Sequence, residues 1–248
     1  MQDARIRIEM PHFEEPKPAS AARNGNAKAK VAKVDFNRQD AIAREESSKL
    51  VQSIFLSRSE DSPRAIVFAG VDSGNGCSWI CAHVAQELAG QKRGSVCVVD
   101  ANLRSPALPR LFGVSNHYGL IDALSKKGSI RDFAKVVQSD NLWLLSCGSL
   151  AAESAGLLNS ETMKARVAEL RKEFDYVLIN SSALNTYSDG VTLARLTDGL
   201  ILVLDVNSTR RESAARVTKN LRAAQIKVLG AVLNKRTFPI PETLYKMV

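Results

Sequence analysis

Ala65-Ile66-Val67-Phe68-Ala69-Gly70-Val71-Asp72-Ser73-Gly74-Asn75-Gly76-Cys77-Ser78-Trp79-Ile80 is the stretch whose reading decides the fold. It opens as a short apolar run suited to a buried strand and turns through glycines. It then enters a helix that continues across His83-Val84-Ala85-Gln86-Glu87-Leu88. Strand, glycine turn and helix in that order make a phosphate-binding loop. The glycines let backbone N–H groups curl around phosphate oxygens, and the helix directs its positive N-terminal end at them. The usual pattern is G-x-x-x-x-G-K-[ST]. Gly76 and Ser78 satisfy its second half, but Val71 stands at the first glycine and Cys77 stands at the lysine. The loop has the shape of a phosphate cradle without its charge.

Outward from the loop, apolar segments alternate with helical ones. Gly94 to Asp100 reads as a second buried strand ending in a carboxylate, followed by the loop Ala101-Asn102-Leu103-Arg104-Ser105-Pro106. Short helices are expected over 107–112 and 119–125, and further strands over 141–146, 174–180, 199–204 and 228–233. A helix opens at Asn159-Ser160 with Met163, Val167 and Leu170 on its apolar face, and another covers 210–224. Strands apolar on both faces and separated by helices imply a mostly parallel sheet covered on both sides, a three-layer α/β sandwich. Ligands of such sheets sit beyond the carboxyl ends of the strands, where Gly76, Asp100 and Asn180 all fall.

The 248 residues suffice for one full-sized α/β domain. Residues 1–40 carry Pro11, Pro16 and Pro18 and no hydrophobic period, so they read as a flexible tail, with the folded domain over 41–248. That tail holds eight basic and six acidic residues, too balanced for a polybasic membrane anchor. A helical pattern covers 41–56 and breaks at 57–63. No apolar run approaches the roughly 20 residues of a membrane span and no signal-peptide core follows Met1, so a cytoplasmic protein with at most a peripheral membrane role is expected. The net charge of +8 is dispersed and no aromatics interleave with a basic cluster, which argues against nucleic acid as a partner. Cys77, Cys81, Cys97 and Cys147 have neither metal nor disulfide spacing, as expected in a reducing compartment. A thiol at a helix N-terminus can become reactive, but no His and acid accompany Cys77 in sequence. A neutral replacement is the preferred reading. His83 and His117 read as helix-face and loop residues.

From about residue 41 onward the chain resembles the cytoplasmic bacterial tyrosine kinases of capsular and exopolysaccharide synthesis. These fall within the deviant P-loop ATPases that include the septum-site and partition ATPases. The family carries a loop P-G-x-G-K-[ST], a strand ending D-x-D-x-R and a motif ending D-T-P-P. The matching stretches here are Ser73 to Ser78, Asp100-Ala101-Asn102-Leu103-Arg104 and Asn180-Ser181-Ser182-Ala183. Leu108 to Gly113, Gly119 to Leu124, Glu173 to Ile179 and Val228 to Asn234 are similar to family stretches as well.

The resemblance implies a P-loop NTPase-like sandwich and a nucleotide pocket built by Gly74, Asn75, Gly76, Cys77, Ser78, Trp79, Asn180 and an adenine contact from Asn234. Ser78 and Asp100 would be weak metal ligands. In the family the loop lysine grips the β- and γ-phosphates, and acidic residues hold Mg²⁺ and act near the attacking hydroxyl. Here Cys77 replaces the lysine, Asn102 the second aspartate and Asn180 the aspartate of the third motif, while Ser78, Asp100 and Arg104 persist. The oligomerisation motif E-x-x-R-x-x-R is worn to Glu46-Ser47-Ser48-Lys49-Leu50-Val51-Gln52, and Tyr245 alone stands near the C-terminus in place of a tyrosine cluster.

Each lost charged hydrogen bond costs about 1.5–3 kcal/mol, and an amide oxygen lacks the charge a hard Mg²⁺ prefers. The expectation is a domain with weak or absent ATP/ADP and Mg²⁺ binding and no catalytic residues. It would dock on a transmembrane chain-length regulator or an active kinase paralogue, in a homo- or hetero-oligomer at the inner face of the membrane. The alternative is an active tyrosine autokinase using Asp100 and Arg104.

Overall fold

The computed structural model describes residues 6–11, 38–56, 62–149 and 154–236. In chain order the elements are β1 (Ile6–Pro11), α1 (Arg38–Ile54), β2 (Ala65–Gly70), α2 (Cys77–Gly90), β3 (Val96–Asp100), α3 (Leu108–Leu111) and α4 (Leu120–Ser125). A 3₁₀ turn at Ile130–Phe133 leads to β4 (Lys135–Val137) and β5 (Ser139–Leu145). There follow α5 (Ser154–Leu157), α6 (Glu161–Glu173), β6 (Tyr176–Asn180), α7 (Asp189–Ala194), β7 (Gly199–Asp205), α8 (Arg211–Ala223) and β8 (Val228–Arg236).

The strands form one eight-stranded sheet in the order β1-β8-β7-β2-β6-β3-β5-β4. All neighbours run parallel except β4, which pairs antiparallel with β5 at the edge. Alternation along β2 sends Ala65, Val67 and Ala69 into one core and Ile66 and Phe68 into the other. The first core packs under α4, α6 and α8 through Leu120, Met163, Val167, Leu170, Val217 and Leu221. The second packs under α1 and α2 through Leu50, Val51, Ile54, Ile80, Val84 and Leu88. This is the expected mostly parallel three-layer sandwich, with helices on both faces.

Two expectations need correction. The tail assigned to 1–40 is not featureless, because Ile6–Pro11 adds a strand beside β8, and α1 begins at Arg38 rather than 41. The reason is legible afterwards: Ile6, Ile8 and Met10 alternate with Arg7 and Glu9, and Pro11 falls at the end of an edge strand, where a missing N–H is tolerated. The edge strand β4 and the short α5 and α7 were likewise not anticipated. Residues 12–37 of the tail, and Tyr245 with its surroundings, lie outside the described residues. Among the described residues no helix is long and apolar enough to cross a membrane.

Candidate functional site: a phosphate cradle over a neutral floor

β2, β6 and β3 lie side by side, so their carboxyl ends bring the loop after Gly70, Asn180 and Asp100 together. The loop turns through two left-handed glycines, Gly74 at φ 78° and Gly76 at φ 81°. A side chain at Gly76 would collide with the Asn234 amide. Gly76 also precedes α2 without any side-chain cap, so no side chain of the loop takes up the N–H groups of the first helical turn.

Contacts from distant strands hold the loop in this form. Asn75 is buried and donates to the Val203 carbonyl at 2.8 Å. Asn234 Nδ2 donates to the Asn75 carbonyl at 2.8 Å. Lys235 Nζ donates to the Gly74 carbonyl at 2.7 Å and pairs with Asp205 at 3.0 Å. Asn234 thus lies under the loop as a strut, with its amide nitrogen spent on backbone and its Oδ1 buried without a partner, instead of lining the cleft. Lys235 was not singled out in the sequence. It is 161 residues from Gly74, and no local signal marks it.

Beneath the loop lies a floor of neutral contacts. Asp100 is fully buried; its Oδ2 accepts from the N–H groups of Ala107 and Leu108, each at 3.0 Å, at the start of α3. Its Oδ1 accepts from Asn180 Nδ2 at 3.0 Å and from the Asn102 N–H at 3.3 Å. Burial pushes the Asp100 carboxyl up to about 6, against the pull of those donors, and among the described residues no cation stands beside it to offset burial. Asn180 Nδ2 also reaches Ser78 Oγ at 3.1 Å. The Asn180 Oδ1 is buried without a partner. A divalent cation bound to Ser78 and Asp100 at about 2.1 Å would have to displace that amide.

Cys77 is 9% exposed and faces the second core. Burial pushes its thiol well above the ordinary cysteine range, and the nearby Asp100 adds to the effect. Cys81, a helical turn on, is raised for the same first reason. The helix end therefore does not yield a thiolate here, because desolvation outweighs the dipole. Trp79 stacks on His83 at 3.6 Å and faces away from the cleft, and burial lowers His83 to about 4, leaving it neutral. Among the described residues no group of three or more His, Cys, Asp or Glu converges on a metal position.

The cleft above this floor holds about 240 Å³ and is lined by the loop from Asp72 to Ser78, by Asn102, Arg104 and Arg110, and by Ser181, Ser182 and Tyr187. Arg104 lies over the Tyr187 ring at 4.6 Å and 4.0 Å from Asp189, so it stands at the mouth as a positioned cation. Asn102 Oδ1 receives the Ser105 N–H and lies 3.2 Å from Ser182 Oγ. Ser181 lines the cleft, but its Oγ is itself buried without a partner, on the side of Gly190. Ser181 and Arg110 were not among the expected site residues. Of those that were, Gly74, Asn75, Gly76, Cys77, Ser78 and Arg104 line the cleft. Asp100 and Asn180 lie behind it, and Asn234 and Trp79 lie outside it.

No protein-family model matches the chain. Its relatives are nonetheless consistent. The tyrosine-protein kinase YwqD of Bacillus subtilis is 29% identical over 69% of this chain and 72% of its own length. The succinoglycan biosynthesis transport protein ExoP of Rhizobium meliloti is 30% identical over 76% of this chain, a match that spans 24% of ExoP. Among solved structures, the kinase domain of the Escherichia coli tyrosine kinase ETK superposes with a TM-score of 0.73 at 18% identity, covering 94% of this chain and 92% of that one.

Proposed function

We propose that this chain, whose homologues are bacterial tyrosine-protein kinases of capsule and exopolysaccharide synthesis, is a catalytically silent member of that system that works by association. The observation that carries the reading is Cys77. Where a phosphate-gripping cation is needed, the loop offers a buried thiol held in its neutral form by desolvation. Phosphoryl transfer depends on positioning and on charge placed against the transferring group. A thiol pointing into the apolar core supplies neither.

The backbone of the cradle suits phosphate oxygens: two left-handed glycines and an uncapped 14-residue helix converge on it. The floor does not suit Mg²⁺. Asp100 is engaged by four donors, and the Asn180 amide occupies the approach between Ser78 and Asp100. No step through a metal is therefore drawn for this chain. Binding of ATP or ADP alone is compatible with the cradle, and the residues act on it only by holding and orienting it.

The association partner we infer is the membrane-embedded polysaccharide export apparatus, either a chain-length regulator or an active kinase with which the chain forms a mixed oligomer. ExoP supports this, since the region similar to this chain is one segment of a longer transport protein. Helix α1 carries the worn oligomerisation motif. Lys49 there is tied to Glu45 and Glu46 at 3.0 and 2.8 Å, and Ser47 is buried.

The test is ATP turnover and phosphotyrosine formation by the purified chain with Mg²⁺, beside an active relative such as YwqD. Removing one well-placed charge costs about a hundredfold or more in rate. The expected result is therefore turnover at least roughly a thousandfold below the relative, and no phosphotyrosine. Turnover within tenfold of the relative would establish the autokinase alternative instead.

A further inference from the structure

The amide of Asn180 lies between the two oxygens that a metal ion would bridge, with Nδ2 at 3.1 Å from Ser78 Oγ and 3.0 Å from Asp100 Oδ1. One amide nitrogen carries two hydrogens, so it can satisfy both oxygens at once. An ionised carboxylate only accepts, which fixes the nitrogen, and not the oxygen, toward Asp100. Pairing of β6 with β2 through Phe68 and with β3 through Asp100 holds the Asn180 backbone on both sides, and the residue is fully buried.

This arrangement changes what Ser78 can do. As the Asn180 amide donates to its Oγ, the Ser78 hydroxyl hydrogen is left for the cleft that Ser78 lines. The N–H groups at the uncapped start of α2 and the Arg104 guanidinium complete a donor-rich wall. The nearest carboxylate on that wall, Asp72, is engaged by the Asn185 amide at 2.6 Å. An anion entering this cleft meets hydrogens where a metal-dependent site would present a cation.

We propose that the Asn180 amide stands in place of the metal ion, so that the cleft holds a diphosphate group, as on a nucleoside diphosphate, without a divalent cation. The inference rests on the silent-site reading and specifies its ligand. Neutral donors in place of a cation make a weaker but metal-indifferent grip.

The experiment is calorimetric titration of the whole chain with ADP and, separately, inorganic pyrophosphate, each in EDTA and in excess Mg²⁺. ADP is expected to bind as tightly in EDTA as in Mg²⁺, or more tightly. Binding of pyrophosphate as well assigns recognition to the diphosphate and supports the proposal, whereas ADP bound with no binding of pyrophosphate assigns recognition to the nucleoside and overturns the diphosphate assignment. Affinity more than about tenfold higher in Mg²⁺, or no binding of either probe in EDTA at millimolar concentration, overturns it.

Asn180→Asp should weaken ADP binding in EDTA by about tenfold or more and restore it with Mg²⁺, since it places a second carboxylate beside Asp100. A folded Asn180→Asp protein indifferent to Mg²⁺ contradicts the proposal. Should that variant fail to fold, Ser78→Ala, which removes one neutral hydrogen bond to the ligand, is expected to weaken ADP in EDTA about fivefold; no change there contradicts the proposed ligand position. Phosphate release measured on the same samples keeps the two readings apart, because turnover would overturn catalytic silence while the EDTA series alone judges metal independence.

Discussion

Asp198 and Asp100 sit at opposite ends of the sheet and are treated in opposite ways. Asp198, just before β7, accepts from the N–H groups of Arg64 and Ala65 at 2.7 and 2.8 Å and from the Arg171 guanidinium at 2.8 Å. Burial works against its charge, but Arg171 and the two N–H groups outweigh it and hold the carboxyl below its usual range. Asp100, at the end of β3, has more neutral donors and no cation, and burial pushes it up to about 6. Hydrogen-bond number does not separate the two; a partner of opposite charge does. At the structural end the protein supplies its own cation. At the site end an amide dipole lies beside the carboxylate instead.

The largest expected effect is at Asp100 itself. Asp100→Ala strips the acceptor from two N–H groups of α3 and from the buried Asn180 amide, and should lower unfolding free energy by about 4 kcal/mol in urea titrations. A loss under about 1 kcal/mol would mean that the floor is not a connected network.

Next comes pH. Asp100 has a folded value of about 6 against an ordinary 3.8, so between those values the folded state holds the extra proton. Stability from this group is full below about 4 and is lost as pH rises through about 6, by roughly 3 kcal/mol for the two-unit shift. Asp198 has the opposite sign: its contribution is present above the ordinary carboxylate range and is lost as pH falls through its depressed folded value. Asp100→Asn should therefore flatten the decline between pH 4 and 6 in denaturation midpoints and leave the acid limb intact. A decline that survives that substitution would break the contrast.

Asp198→Asn is smaller, at about 1–2 kcal/mol, because the partly exposed Arg171 finds water when its partner loses charge. High salt should narrow that difference while leaving the Asp100→Ala effect unchanged. Smallest is the alkylation of Cys77. Iodoacetamide at pH 8 should leave it unlabelled in the folded chain and label it on unfolding, read by mass spectrometry, since burial keeps the thiol neutral and shielded. Rapid native labelling would revive the reactive-thiol reading.

Much of the sandwich was visible in the chain itself. The apolar runs at 65–70, 96–100, 176–180 and 199–205 are buried on both faces, and that continuity distinguishes parallel central strands from amphipathic ones. The edges were less legible for the same reason. β1 alternates its apolar residues before a proline-rich stretch, and β4 has only three residues, so neither offers the long run that identifies a central strand. In the site, the substitutions at 77, 102 and 180 could be read by position. Their consequences could not, because which way an amide points is decided by what the fold places around it. Asn180 faces Ser78 and Asp100, 102 and 80 residues away in sequence. Lys235 and Asn234 brace the loop from the far end of the chain, where the family resemblance implied only an adenine contact from Asn234.

The most direct test of a cradle without its metal is a crystal of the chain grown with ADP and Mn²⁺ and measured at the manganese absorption edge. The account predicts no anomalous peak between Ser78 and Asp100, with the Asn180 amide still about 3 Å from both oxygens, as befits a hydrogen-bonded nitrogen. A manganese ion bound there at about 2.1–2.2 Å from Ser78 Oγ and the Asp100 carboxylate, with Asn180 turned aside, would contradict it.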